Sequence, residues 1–299
     1  MPFPADAALA STMNQAMQAR IAPVAWRHFP DGESLVTLED SLAGADVAIL
    51  ASLRHADALA LPLRFAARTA REFGARSVGL IAPYLGYMRQ DTRFHRGEAV
   101  STPLFAQFLE EAFDWLVTVD PHLHRVERLQ SLYRIPTVHV SATPAVARWI
   151  AETVPDAVLI GPDSESEQWV ADIAALSGMP YQVLAKERHG DYDVRVSLPD
   201  PAAVAGRTPV LIDDIVSSGH TILETLAHLR RLSLPSPLLV AIHPVFAGDA
   251  YARLQEAGLA RIVSTDTISH PSNAIALGAD LAAAASTLMT ASTDSPEDP

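Results

Sequence analysis

Short runs of valine, isoleucine and leucine recur along the chain at residues 47–50, 78–81, 116–119, 158–160, 183–184, 210–212 and 238–242. Each is too short for a helix and nearly free of polar residues, so each reads as a strand buried on both faces. Longer stretches with apolar residues at helical spacing lie between them, at 57–73, 103–113, 144–153, 165–177 and 221–232. Buried strands alternating with helices predict an α/β fold with mainly parallel central sheets flanked by helices. A break at 141–144 separates halves of similar content, and 299 residues suit two domains of about 150 each. The expected organisation is a domain over 1–143, a second over 144–288, and a polar, acidic, proline-containing tail over 289–299, expected to be disordered.

One segment departs from the alternation. Residues 83–103, PYLGYMRQDTRFHRGEAVSTP, mix Arg89, Arg93, His95 and Arg96 with Asp91 and Glu98. An irregular excursion of this length in a compact domain is usually functional or disordered, and Tyr84, Tyr87 and Phe94 argue against disorder.

Composition narrows the class of ligand. A formal net charge of −13 repels polyanions, and no long basic patch offsets it, so nucleic acid is not an expected partner. Arginine far outnumbers lysine and several arginines fall in expected loops, which suits the gripping of individual phosphates. The chain has no cysteine, which excludes disulfides, thiolate metal sites and cysteine nucleophiles. Its first twenty residues lack a basic region followed by an apolar core, and no apolar run approaches the length of a membrane span. A cytoplasmic protein with no membrane partner is therefore expected.

The richest chemistry follows the run at 210–212. Asp213 and Asp214 come next, then Ser217, Ser218, Gly219, His220 and Thr221 at the start of a predicted helix. Ligands of open α/β sheets bind at the carboxyl ends of strands. Small residues and a glycine there let successive N–H groups converge on a phosphate, aided by the positive end of the helix. The two acids repel that phosphate and suit sugar hydroxyls or a magnesium ion, so a sugar phosphate is the simplest single ligand. A capped turn would need only one acid.

Other motifs extend the pattern. FPDGE, residues 29–33, sets Phe29 beside Asp31 and Glu33 around a tight Asp-Gly turn. TVDPHLHRVERL contains His122 and His124, IGPDSESEQWV contains Asp163, and KERHGDYDV contains Lys186 and Arg188. His122 and His124 could face one way only on an extended strand, and a zinc site would need a third ligand.

In this order, from residue 25 to the helix near 285, the motifs resemble those of the ribose-phosphate diphosphokinases, also called phosphoribosyl pyrophosphate synthetases. The resemblance implies two tandem type I phosphoribosyltransferase-like domains, each with a mainly parallel sheet. It implies that Phe29 stacks on the adenine of ATP, with Asp31 and Glu33 approaching from a neighbouring subunit, and that Arg89, Gln90 and Asp91 also serve ATP. By the same resemblance His122 holds Mg2+, Asp163 stands in a second segment that serves either the metal or the ribose phosphate, Asp213 and Asp214 hold the ribose hydroxyls of ribose 5-phosphate, and Ser217, Ser218, Gly219, His220 and Thr221 hold its phosphate. Lys186 and Arg188 match the family's catalytic loop, and a homo-oligomer, dimer or hexamer, is implied.

The chain departs from the family pattern in places. Pro121 replaces a usual leucine, Glu165 and Ser166 replace usual glycines, and Ser217 stands where many synthetases carry a third acid. The expected activity is transfer of the diphosphoryl group of Mg-ATP to the 1-hydroxyl of ribose 5-phosphate, giving AMP and 5-phosphoribosyl 1-diphosphate for nucleotide biosynthesis. Two other readings share parts of the pattern: a phosphoribosyltransferase that consumes that product, and a noncatalytic regulatory homologue.

Overall fold

The structure is a computed structural model that describes residues 1–38, 41–123, 128–184, 186–188, 194–196, 204–230 and 234–291. The chain divides into two compact units. The first comprises Met1–Val140, Thr267–Ser269 and the stretch from Leu277 onward, and the second comprises Ser141–Asp266 and His270–Ala276.

In the first unit, strands β3 (Asp46–Leu50), β4 (Ser77–Ala82), β5 (Trp115–Val119) and β6 (Thr137–Val140) form a parallel sheet in that order. Strands β4 and β5 are buried at every position, as their unbroken apolar composition requires. Gly79 in β4 lies against the indole of Trp115, where a Cβ would come within 1.9 Å of the ring, so this register admits only glycine. Helix α2 (Ala56–Glu72) covers part of the sheet with a face that includes Leu63, Ala66, Ala67 and Ala70, all fully buried. Helix α3 (Ser101–Glu110) follows the irregular segment. A two-stranded ribbon, β1 (Val24–His28) with β2 (Ser34–Leu38), carries FPDGE as its turn. Gly32 takes φ +92°, which is why the turn uses an Asp-Gly pair.

Helix α1 (Ala7–Met17) packs against the last helix of the chain, Gly278–Ala291, which also lies on β4, β5 and β6. The expected second domain reached residue 288, yet this helix belongs to the first unit. Its leucines and alanines make it apolar enough to bury in either unit, and only the path of the chain decides which. Its helical span also takes in residues 289–291 of the expected tail; residues 292–299 lie outside the described residues.

Asp6 is buried at the start of the first unit, 5% exposed, and accepts a hydrogen bond from the Ser52 N–H at 3.1 Å. Burial pushes its carboxyl up to about 6, against the smaller opposing effect of that hydrogen bond. The folded value lies above the unfolded one, so this group costs stability above pH 6 and the cost disappears as pH falls toward 4. Asp6→Asn keeps a hydrogen-bond acceptor and removes the charge. The variant is expected to be more stable than the parent at pH 8 by up to about 3 kcal/mol, with the difference vanishing near pH 4. Denaturant midpoints of both proteins at the two pH values measure it; equal gaps at both would refute the burial account.

The second unit holds a six-stranded sheet in the order β14 (Asn273–Ile275), β13 (Arg261–Thr265), β12 (Leu238–His243), β11 (Thr208–Ile215), β7 (Ala157–Gly161), β8 (Tyr181–Val183), with all neighbours parallel. From β7 the chain first builds outward to β8 and later returns to the opposite side of β7 as β11. The sheet therefore has its topological switch between β7 and β11. Helices α4 (Thr143–Thr153) and α5 (Glu167–Ser177) pack together, and α5 lies on β7 and β8. Helices α6 (His220–Leu229) and α7 (Ala250–Glu256) contribute Ile222, Leu226, Leu229 and Leu254 to a core with Ile160, Leu211 and Leu239. Strands β9 (Lys186–Arg188) and β10 (Val194–Val196) form a separate antiparallel ribbon where a loop was expected.

Candidate active site

The two acids of the main motif sit at the switch of the second sheet. The expected strand ended at residue 212, but β11 continues to Ile215. Its pairing with β7 stops at Leu211, while its pairing with β12 continues through Asp213 and Ile215. The carboxylates thus occupy the strand's last turn of pleat, with one neighbour strand withdrawn. That withdrawal is the crevice a switch point provides.

Asp163 enters the same crevice from β7. It follows Gly161 and caps a short 3-10 turn (Ser164–Ser166), accepting from the N–H of Glu165 at 3.1 Å and of Ser166 at 3.3 Å, while Ser166 Oγ donates back to the Asp163 carbonyl at 2.6 Å. Glu165 and Ser166, where the family pattern has glycines, are thus accommodated as the second and third residues of a capped turn. Burial, then the charge of Asp214, then that of Asp163 raise the Asp213 carboxyl well above the ordinary carboxylate range. Three acids whose like charges repel one another describe a place where a divalent cation or a set of hydroxyl donors would lower the energy. Among the described residues no group of three histidine, cysteine, aspartate or glutamate side chains could by itself hold a metal ion.

Beyond Ile215 the chain turns sharply into α6. Gly219 takes φ +71° and ψ 7°, and a Cβ there would meet Leu254 Cδ1 at 3.0 Å. Glycine is required at this position both by its conformation and by the approach of α7. The Ser218 hydroxyl accepts from the His220 N–H at 3.4 Å, and the Gly219 carbonyl accepts the helical bond from Leu223 at 2.9 Å. The exposed His220 ring meets Glu224 at 3.1 Å, and Thr221 lies in the first turn of the helix.

The remaining candidates of the second unit, Lys186 and Arg188, lie two positions apart in β9, paired with Val196 and Val194 of β10. This ribbon is separate from the six-stranded sheet and stands where a loop was expected.

In the first unit, Phe29 is 41% exposed at the tip of the β1–β2 ribbon, with the Arg27 guanidinium 5.0 Å from its ring centre. Asp31 Oδ1 accepts from the Glu33 N–H at 3.1 Å, so the turn is held by its own acid. Residues 83–100 are irregular yet internally bonded, and 101–103 already belong to α3. Glu98 accepts from the N–H groups of His95 and Phe94 at 2.9 and 3.1 Å and meets the His95 ring at 2.7 Å, which together hold its carboxyl below the usual range. The Gln90 carbonyl accepts from the Thr102 N–H at 3.2 Å, anchoring the segment to α3; Arg89 is exposed and Asp91 half-buried. Beside this segment lies a cleft of about 520 Å3 whose lining includes Arg54, His55, Asp57, Tyr84 and Tyr87. The Tyr87 hydroxyl donates to Asp57. Sequence reasoning passed over Arg54 and His55, because two isolated basic residues before a helix carry no motif.

His122 is half-buried just past the carboxyl end of β5. Two residues earlier, Asp120 is fully buried at φ +31°, its carboxylate 2.7 Å from His139 Nε2 on β6. The backbone there is held in a conformation that aspartate tolerates better than most residues. His124 lies outside the described residues.

Parallel sheets, a capped acid on one side of a switch point, and paired acids leading into a glycine turn on the other define an α/β protein of the phosphoribosyltransferase fold class. The comparisons make this specific. Residues 3–112 match the N-terminal domain of ribose phosphate pyrophosphokinase and residues 140–278 match the phosphoribosyl transferase domain. The chain is 32% identical to the ribose-phosphate pyrophosphokinase of Methanopyrus kandleri, over 94% of this chain and 96% of the relative. It is 33% identical to that of Halobacterium salinarum, over 87% and 90% respectively. Its fold matches the crystal structure of phosphoribosylpyrophosphate synthetase from Mycobacterium smegmatis with a TM-score of 0.82 at 24% identity, covering 98% of both chains. The chain therefore belongs to the ribose-phosphate pyrophosphokinase family. It is a transferase with two phosphoribosyltransferase-like domains, as the order of its motifs led one to expect.

Proposed function

We propose that the chain transfers the diphosphoryl group of Mg-ATP to the 1-hydroxyl of ribose 5-phosphate, forming 5-phosphoribosyl 1-diphosphate and AMP. What carries the reading to specific residues is the second-unit switch point, where three acids and a tight glycine turn stand at one crevice of a family member. Asp213 and Asp214 accept hydrogen bonds from the ribose hydroxyls. The amides and hydroxyls of Ser217, Ser218, Gly219, His220 and Thr221 receive the 5-phosphate, with the helix dipole of α6 behind them.

The ATP side rests on the first unit. Phe29 offers an exposed aromatic face for adenine, with Asp31 and Glu33 on the same turn, and Arg89, Gln90 and Asp91 supply further contacts. An adenine-binding residue at the exposed tip of a ribbon suits use by a neighbouring subunit, so a homo-oligomer, dimer or hexamer, is part of the proposal. His122 and Asp163 are the protein groups assigned to Mg2+, which when bound neutralises phosphate charge and polarises the phosphoryl oxygens. A cytoplasmic setting suits these substrates. No described helix is long and apolar enough to cross a membrane.

In the reaction the bond from ribose O1 to the β-phosphorus forms as the bond from that phosphorus to the AMP oxygen breaks, and the hydroxyl proton is released. Protein side chains align the two oxygens and stabilise charge on the nonbridging oxygens, the role given to Lys186 and Arg188. The test is to incubate the purified protein with ATP, Mg2+ and ribose 5-phosphate and to quantify both products. AMP and 5-phosphoribosyl 1-diphosphate are expected in equal amounts. Folded protein that binds ATP and forms neither would instead be a regulatory homologue.

A further inference from the structure

The loop between β11 and α6 is shaped by a segment outside every motif discussed so far. The Val216 carbonyl accepts from the Phe246 N–H at 2.8 Å, the Ser217 carbonyl from the Ala247 N–H at 3.0 Å, and the Ser218 carbonyl from Arg253 Nη2 at 3.0 Å. Three consecutive carbonyls thus point to one stretch of chain, residues 246–253. In a planar trans peptide the N–H points opposite to the C=O. The N–H groups of Ser217, Ser218 and Gly219 are therefore turned away from that stretch, and among the described residues none of the three has an acceptor. Successive amides directed to one side form an anion-binding nest.

The stretch is itself rigidly held. Phe246 is 3% exposed at φ +35°, with its ring 5.1 Å from Tyr251 and 4.7 Å from His270, centre to centre. Arg253 Nε lies 3.0 Å from Asp249 one turn earlier, and Leu254 fills the space below Gly219. Two of the three carbonyl anchors come from backbone, and the third comes from a side chain.

We propose that Arg253 is a positioning residue for ribose 5-phosphate. By holding the Ser218 carbonyl it fixes the Ser218–Gly219 peptide so that the Gly219 N–H faces the 5-phosphate, without itself touching the substrate. This rests on the assignment of the 217–221 loop to that phosphate. An arginine suits the task because its charged donor makes a stronger bond to a carbonyl than a neutral one, and it adds positive charge behind the nest.

Substitution separates this role from simple support of the fold. Arg253→Met keeps the aliphatic stem over the helix and removes the donor, and Arg253→Lys retains one charged donor on a shorter reach. The Kd of ribose 5-phosphate, measured by calorimetry with Mg2+ and without ATP, and its KM are both expected to rise about tenfold in Arg253→Met, as loss of one oriented charge-assisted contact implies. The KM for ATP should stay within about twofold and the thermal midpoint near that of the parent. Arg253→Lys should recover part of the loss. An unchanged ribose 5-phosphate Kd, or equal losses for both substrates together with a lowered midpoint, would overturn the assignment. Because the calorimetry does not need turnover, parent protein that binds ribose 5-phosphate yet makes no product would refute the proposed activity while leaving the role of Arg253 open to the same measurement.

Discussion

Replacing Lys186 by alanine is expected to lower kcat by roughly 10^2- to 10^3-fold, the usual effect of removing one donor that meets charge developing in a transition state. The Kd for ATP should change only a few-fold. Lys186 stands with Arg188 in the short strand β9, part of a ribbon outside the main sheet. The role proposed for its charge is to meet the nonbridging oxygens as charge develops there, which favours the transition state over bound ATP. Steady-state kcat and equilibrium ATP binding, measured on the same preparation, decide the matter. Equal losses in both would move Lys186 to a ground-state binding role.

Asp213→Asn is expected to raise the KM for ribose 5-phosphate by about ten- to a hundredfold, because hydrogen bonds to a charged acceptor contribute roughly 1.5–3 kcal/mol. The same change should make the substrate-free protein more stable at neutral pH. Burial and the charges of Asp214 and Asp163 hold the Asp213 carboxyl well above the ordinary range. A folded value above the unfolded one means that the ionised group costs stability at high pH, a cost that falls away on acidification. An amide of the same shape has no such cost. Thermal midpoints at neutral pH and substrate kinetics on both proteins test the two halves together. A variant less stable than its parent, or one with unchanged KM, would contradict this account of the site. Opposed effects on stability and binding are the mark of a site whose charges are brought together for a ligand.

Much of the second unit's sheet was legible because strands buried on both faces must be apolar throughout, as at β7, where all five residues are buried. The Asp213 motif was legible for a related reason: acids cannot be buried in mid-sheet without partners, so two in succession mark a strand end. The sequence placed that end three residues early, since apolar composition stops at Ile212 while the pairing of β11 with β12 continues to Ile215. The ribbon at β9 and β10 was read as a loop, because strands of three residues with charged positions leave too little alternation to detect. The two-residue gap between Asp120 and His122 was visible, but the contact from Asp120 to His139 was not, since nothing in the sequence links positions nineteen residues apart.

By itself the sequence determined the α/β class, the position of the acids and glycine turn, and the order of segments that identifies the family. Those features depend on local rules: burial period, turn chemistry, and which side chains can face a phosphate. Only the tertiary structure decided that the last helix belongs to the first unit, that Asp163 and Asp213 share a switch point, and that residues 246–253 hold three successive carbonyls of the loop after β11. Each of these depends on which distant segments meet. Carbonyl anchoring leaves no mark on residue identity where the donor is backbone, and Arg253 in an ordinary amphipathic helix gives no sign of the carbonyl it holds.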